Sequence, residues 1–353
     1  MTTMEQLTGI IESEKIESPA FIYDAEKIGS QLNILRTIFR DSDTRIYYSY
    51  KTNPSLGKLV YSLGCGLQVT SLNHLNEVLK FADSKNVIFC GRTLSDEEIR
   101  FLIGSNVHII ANSINQIERI RKIEKNLPIG IRIDTGITSE CTGFNTSNLG
   151  LGIRTEDLEG IEANIIGIHN HIASQIVDLN SYRLNAEIII DLADKMNVSY
   201  INIGGGFPIQ YGNIVPTLKE FADAFKRWKK ILCFEPGRIL VGPAGVLFAQ
   251  VKDVQGDIAT IDASVFNSVR DRILSKYKIQ LPVLEGGGKR YKVVGNTPCS
   301  VDYFGQYELP CLKAGSKIFF SQAGAYCRTK DDFSGTQPPS EYILNDGKFE
   351  MIK

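Results

Sequence analysis

Tyr47-Tyr48-Ser49-Tyr50-Lys51-Thr52-Asn53-Pro54 is a short β-rich run that ends in a lysine and a prolyl turn. Lys51 is there either a solvated strand end or an amine that forms an imine, a role that asks for a desolvated lysine. The fold is decided by the recurrence of this pattern. β-rich runs at 46–51, 67–71, 87–91, 107–112, 129–134, 165–174, 201–206 and 232–238 are separated by charged segments of helical period, such as 96–103 and 115–125. Eight strands alternating with helices predict a closed (β/α)8 barrel, with a doubly wound open sheet as the rival. The placement of the unusual residues favours the barrel. Lys51, Ser71, Arg92, Asn112, Asp134, His171, Gly204 to Gly206, Glu235 and Arg238 all fall at or just past strand ends, which converge in a barrel.

Beyond residue 241 the rhythm changes to short strands at 245–254, 259–262, 291–294, 317–321 and 341–344, with a Gly286-Gly287-Gly288 turn. This reads as an all-β domain. Ala20-Phe21-Ile22-Tyr23 reads as a strand that pairs into it. The expected organisation is a barrel over 26–240 and a β-domain assembled from 1–25 and 241–353.

A chain of 353 residues that is 43% hydrophobic can build two such cores. Its formal net charge of -1, without an extended basic run, argues against nucleic acid as a partner and for a small ligand. The seven cysteines, Cys65, Cys90, Cys141, Cys233, Cys299, Cys311 and Cys327, are scattered and form no CxxC pair. Neither a disulfide framework nor a zinc site is indicated, and reduced thiols fit the cytoplasm. The start of the chain is polar and acidic, and no stretch reaches the roughly 18 apolar residues of a membrane span, so neither export nor a membrane is expected.

Gly167-Ile168-His169-Asn170-His171-Ile172-Ala173-Ser174-Gln175 sets two histidines on one side of a strand that runs through both. Such a pair can hold a metal, pack, or stack on a ring and handle protons. His74 and His108, the other histidines, have no ligand spacing, so a metal would depend on carboxylates and none is expected. Ile203-Gly204-Gly205-Gly206-Phe207-Pro208 lets backbone N–H groups approach an anion. Cys233-Phe234-Glu235-Pro236-Gly237-Arg238 brings a carboxylate and a guanidinium to the same rim, as an internal ion pair or as two binding groups. One phosphate-bearing cofactor unites these features, since glycine amides and Arg238 suit a phosphate, Lys51 an aldehyde and His171 a flat ring. Pyridoxal 5'-phosphate needs them all: a Schiff-base lysine, a phosphate cradle, and a carboxylate, here Glu235, to keep its ring nitrogen protonated.

On these residues the chain resembles, over nearly its whole length, the fold-type III pyridoxal-phosphate decarboxylases. These are the diaminopimelate, ornithine and arginine decarboxylases, built on an alanine-racemase-like barrel. Tyr50-Lys51-Thr52-Asn53 is similar to the family's YAxKAN motif, His169 to Gln175 to HxHxGSQ, and Gly204 to Phe207 and Glu235 to Arg238 to their counterparts. In the second domain, Gly295-Asn296-Thr297-Pro298-Cys299 resembles GPxC, and Gly324-Ala325-Tyr326 and Phe333-Ser334-Gly335 resemble the GAY and FNG segments. The resemblance implies that Lys51 carries the cofactor, His171 stacks on its ring and Glu235 pairs with its ring nitrogen. Ser174, Gly205, Gly206, Gly237, Arg238 and Tyr326 would hold the phosphate. It also implies a head-to-tail homodimer in which Cys299 of one subunit reaches the cofactor on Lys51 of the other and helps to protonate the product carbanion.

The departures concern the substrate side. Where diamino-acid decarboxylases place an acid after the cysteine, this chain has Ser300, and Asp302 is the nearest carboxylate. Gln68 and His74 stand where many members carry acids, Ala173 replaces a glycine, and Asn148-Leu149-Gly150 replaces a basic element. Arg270 lies close to where diaminopimelate decarboxylases hold a distal carboxylate, one residue out of step. The substrate-binding candidates are therefore Ser300, Asp302 and Arg270. The implied activity is pyridoxal-phosphate-dependent α-decarboxylation of an amino acid. The alternatives are a carboxynorspermidine-type or secondary-metabolite decarboxylase, an amino-acid racemase, and a non-catalytic regulatory homologue, which the complete cofactor set disfavours.

Overall fold

The structure, a computed structural model, describes residues 4–39, 43–141, 143, 150–211, 215–275, 278–329 and 333–352. Asn148 and Leu149 lie outside the described residues. The chain divides into two compact units, one of Met1–Gln31, Ile209–Ile214 and Leu240–Lys353, the other of Leu32–Pro208 and Val215–Ile239.

Strand β1 (Ala20–Asp24) belongs to the first unit; the second is the barrel. Its strands are β2 (Thr44–Ser49), β3 (Gly66–Val69), β4 (Val87–Phe89), β5 (His108–Ala111) and β6 (Ile129–Asp134). After a two-residue strand, β7 (Ile153–Arg154), which pairs with β6, come β8 (Ile165–His169), β9 (Tyr200–Asn202) and β10 (Ile231–Phe234). Neighbours pair in parallel around the ring, and β5 closes it onto β6 through Ile110 opposite Gly130 and Ala111 opposite Ile131. This is the expected closed barrel.

The helices between the strands start where side chains can accept orphan amide protons. Ser71, Ser95, Ser113 and Asp178 each cap a helix in this way, Ser95 with the reciprocal Glu98 contact of a capping box. Ser71, singled out above as a strand-end residue, is therefore a helix cap whose hydroxyl accepts from the His74 amide at 3.3 Å.

Several strands stop earlier than their composition predicts. β2 ends at Ser49, whose amide turns to the Pro236 carbonyl (3.1 Å), and Lys51 sits in the following 3-10 turn, Tyr50–Thr52. β8 ends at His169, so His171 lies beyond the strand and does not share its side with His169 through strand alternation. The polar and glycine-rich ends leave the ladder because their amides bond to loops, which hydrophobic periodicity cannot register.

Tyr200 fills the barrel on β9, and glycines on two other strands make room for it. A Cβ on Gly167 would stand 2.0 Å from its ring, and one on Gly130 would stand 2.1 Å from its hydroxyl. That hydroxyl lies 2.6 Å from His108 Nε2.

The first unit is built on β1, which lies between β11 (Gly245–Gln255, antiparallel) and β16 (Ser340–Asn345, parallel). β11 continues through an irregular register to β12 (Ile258–Ile261); β13 (Lys289–Val294) and β14 (Tyr303–Leu309) extend the sheet. β15 (Lys317–Phe320) pairs with β11, and β17 (Lys348–Met351) with β16. The unit is not all-β: Met4–Ser13, Val265–Ser268 and Arg270–Leu274 are helical, and Leu7 and Ile11 of the first pack with Ile22, Phe248 and Phe319. Glu341, fully buried, accepts from Tyr23 Oη at 2.8 Å and pairs with Arg328 Nε at 3.1 Å, so its charge is compensated inside the unit. Among the described residues, no helix is long and apolar enough to cross a membrane.

Burial holds His108 well below its ordinary 6.5, at about 4. The unfolded chain therefore takes up this proton first, and the stability gained from a neutral His108 is complete above pH 6.5 and lost as pH falls toward 4. The loss is about 3 kcal/mol at most. His108→Gln, which cannot titrate, should lose less stability than the unaltered protein between pH 7 and pH 4.5 in urea unfolding; equal losses would show that His108 is not buried neutral.

Candidate active site

The rim where the strands end is organised by one closed set of hydrogen bonds. The Gly204 amide donates to Asn202 Oδ1 (2.9 Å), Asn202 Nδ2 donates to Glu235 Oε1 (2.8 Å), and the Glu235 amide donates back to the Gly204 carbonyl (2.7 Å). His169 Nε2 lies 3.4 Å from the same Oε1. Burial raises the Glu235 carboxyl, but the His169 charge and hydrogen bond, Asn202 and the Lys51 charge outweigh it and hold the group below its ordinary value. Glu235 is 8% exposed and Asn202 fully buried, so a carboxylate is kept ionised almost without water.

The triple glycine also sets the second group. The Gly205 amide donates to His171 Nδ1 at 3.3 Å, while Arg132 Nη2 donates to the His171 carbonyl at 3.4 Å. Burial, then the charges of Arg132, Lys51 and His169, push His171 well below 6.5, so it is a neutral ring. Side chains at these glycines would not fit: a Cβ would stand 2.6 Å from the Glu235 carbonyl at Gly205 and 2.5 Å from the Ala173 carbonyl at Gly206. Gly206 further takes φ +102°.

Donors suited to an anion surround this loop. The amides of Gly206 and Gly237 and the hydroxyl of Ser174 make no hydrogen bond among the described residues. Arg238, 5% exposed, opens the short helix Arg238–Val241. Gly237 lies so close to the Lys51 turn that a Cβ would stand 2.2 Å from Thr52 Oγ1, which ties the strand-ten loop to the lysine.

Lys51 is exposed, so the chain's own packing does not supply the desolvation expected of it. Its charge reaches His74, Cys90, His171 and Glu235, which places it over the same rim. Tyr50 beside it donates to Glu77 Oε2 at 3.0 Å and meets the His74 ring edge-on at 5.1 Å. Gln68, buried, accepts from Ser49 Oγ at 3.4 Å. Sequence reasoning passed over three groups here: Asn202, Arg132, and the pairing of His169 with Glu235. Arg132 gave a signal, a cation inside the apolar run Ile129–Asp134; Asn202 gave none beyond a polar residue in a three-residue strand.

The other unit holds the remaining candidates. Cys299 is half-buried, Ser300 is exposed, and Tyr326 is half-buried with φ +55°. The cross-contact of Gly245 and Gly324 fixes the strand end and the loop before Tyr326, since a Cβ on Gly245 would stand 2.2 Å from the Gly324 amide. Asp302 corrects the expectation of a carboxylate offered to substrate. It is 2% exposed, with Oδ1 accepting from the Val265 amide (2.8 Å) and Oδ2 from Thr297 (3.0 Å). It folds its own loop. Arg270 is exposed, whereas Arg272, in the same cluster, is spent on the carbonyls of Tyr303 and Lys278.

The barrel rim fits pyridoxal phosphate: amine, ionised carboxylate, neutral ring and a cradle of amides that only glycine allows. Comparison with known proteins agrees. The family model for the pyridoxal-binding domain of pyridoxal-dependent decarboxylases matches residues 25–242. A diaminopimelate decarboxylase of Methanothermobacter thermautotrophicus is 24% identical, over 97% of this chain and 90% of that protein. The fold is shared with the diaminopimelate decarboxylase of Helicobacter pylori solved with L-lysine (TM-score 0.86, 22% identity, 97% of this chain and 95% of that one). It is shared too with a lysine/ornithine decarboxylase of Vibrio vulnificus solved with putrescine (TM-score 0.82, 19% identity, 98% and 99%).

Proposed function

This chain belongs to the pyridoxal-dependent decarboxylases, and on that premise we propose that it decarboxylates an amino acid whose side chain ends in a carboxylate or a neutral polar group rather than in a bare ammonium. Its cofactor is pyridoxal 5'-phosphate. The substrate reading is carried by Asp302, whose two carboxylate oxygens are both taken by backbone amides, beside an uncharged Ser300. A distal ammonium would find no available acid in that loop, and leaving such a charge unpaired costs several kcal/mol, about 10³-fold in selectivity. Arg270, exposed at the start of its helix, is the group we assign to a distal carboxylate.

Each residue then has a task. The Lys51 amine would hold the cofactor through its aldehyde until a substrate's amine replaced it. When bound, the cofactor supplies an electron sink for the pair left on the α-carbon as carbon dioxide departs. Glu235, ionised, would keep a proton on the ring nitrogen, and neutral His171 would pack on the ring. Gly205 and Gly206, Gly237, Ser174, Arg238 and Tyr326 would bind and orient the phosphate; the Gly205 amide also serves His171, so Gly206 and Gly237 would carry more of that load. Cys299, half-buried and next to exposed Ser300 and Val301, would deliver a proton to the α-carbon from a second copy of the chain.

The test of the reaction is carbon dioxide release across amino acids, diamino acids and carboxy-polyamines. Substrates with a distal carboxylate should exceed ornithine and lysine at least about tenfold in kcat/KM; equal turnover of ornithine overturns the substrate reading, and chiral inversion without gas release overturns decarboxylation. The shared site is tested by mixing Lys51→Ala and Cys299→Ala proteins, each inactive alone. Random reassortment should restore about a quarter of full activity, and no recovery on exchange of subunits overturns it.

A further inference from the structure

We propose that His169 is a positioning residue, which with Asn202 grips one oxygen of Glu235 and so leaves the other for the cofactor's ring nitrogen. This rests on the reading of Glu235 as the ring partner. His169 is 2% exposed, and its Nε2 faces Glu235 Oε1 at 3.4 Å. Both of its ring nitrogens are buried and neither has a hydrogen-bond partner of good geometry among the described residues, so Oε1, 3.4 Å from Nε2, is the acceptor it faces. An N–H on Nε2 would point at the carboxylate, since Oε1 is what that nitrogen faces. Asn202 approaches the same oxygen, and its own amide is oriented because Oδ1 is used by the Gly204 N–H. The Asn202 hydrogen bond and the His169 contact fall on the same Oε1 and together set the orientation of the carboxylate. Oε2 has no partner among the described residues.

The effect on charge follows from the same contacts. Without His169, part of what offsets burial is lost and the carboxyl takes up a proton at higher pH. A protonated Glu235 would no longer hold the ring nitrogen charged. The other ionisable groups facing Glu235 are Lys51 from the turn after β2, Cys90 beyond β4, Tyr200 on β9 and Cys233 on β10, with Arg132 of β6 facing Cys90 and His171. Burial pushes Cys90 and Tyr200 up and Cys233 to about 12. None of these thiols and phenols takes up a proton on the acid side. His171 is already held well below 6.5.

The experiment compares the unaltered holoenzyme with His169→Leu, His169→Gln and Glu235→Gln. The readouts are the pH at which the absorbance band of the bound cofactor changes, the acid limb of kcat/KM, and the Kd for pyridoxal phosphate. His169→Leu should move the band change and the acid limb upward by about one pH unit and cut kcat/KM roughly tenfold at pH 6, while His169→Gln, which retains a donor, should stay within about threefold. If Glu235→Gln alters the band and His169→Leu does not, the inference fails. If Glu235→Gln itself leaves the band and activity unchanged, the reading of Glu235 as ring partner fails instead. Should His169→Leu not fold, His169→Asn, too short to reach Oε1, is read by the same criteria.

Discussion

The site depends on a carboxylate that stays ionised while nearly dry. Glu235 achieves this because Asn202 and His169 meet one of its oxygens and because its backbone is locked to Gly204, whose amide in turn orients Asn202. Desolvation alone would neutralise the group. Three strand ends, those of β8, β9 and β10, are thereby fixed to one another through side chains and not only through the ladder. The neighbouring Gly205 amide extends the arrangement to His171, so His171 and Glu235 take their positions from the same loop.

The need for glycine in that loop is steric as much as conformational. Gly205 and Gly206 lie against carbonyls of the adjacent strand ends, and Gly237 against Thr52, at distances that leave no room for a Cβ. The Gly206 and Gly237 amides have no partner among the described residues, and such amides suit a phosphate. Deeper in the barrel, Gly130 and Gly167 serve packing instead, making space for Tyr200 and its bond to His108. Glycines of one barrel thus divide between ligand approach and core volume.

Much of this was legible in the sequence. The eight barrel strands follow from alternation, and the cofactor from Lys51, Gly204 to Gly206 and Glu235 to Arg238 taken together. What escaped has physical causes. β14 was missed because Gly305, at φ +147°, interrupts its alternation, and β17 because a mostly exposed hairpin strand has no apolar face to read. The helices 265–268 and 270–274 are single turns, too short for a period. Asp302 was misread as a substrate group because the partners that use it, the amides of Val265 and Thr297, are backbone atoms and leave no mark on composition. His169 looked like a companion of His171 and is instead a companion of Glu235, since β8 ends between the two histidines.

The central claim is that the cofactor sits covalently on Lys51 at this rim. Reducing the pyridoxal-phosphate-loaded protein with borohydride and mapping its peptides by mass spectrometry measures that directly. The modification should appear on Lys51 alone and disappear in Lys51→Ala; a modification on another lysine with Lys51 untouched, or none at all, would contradict it.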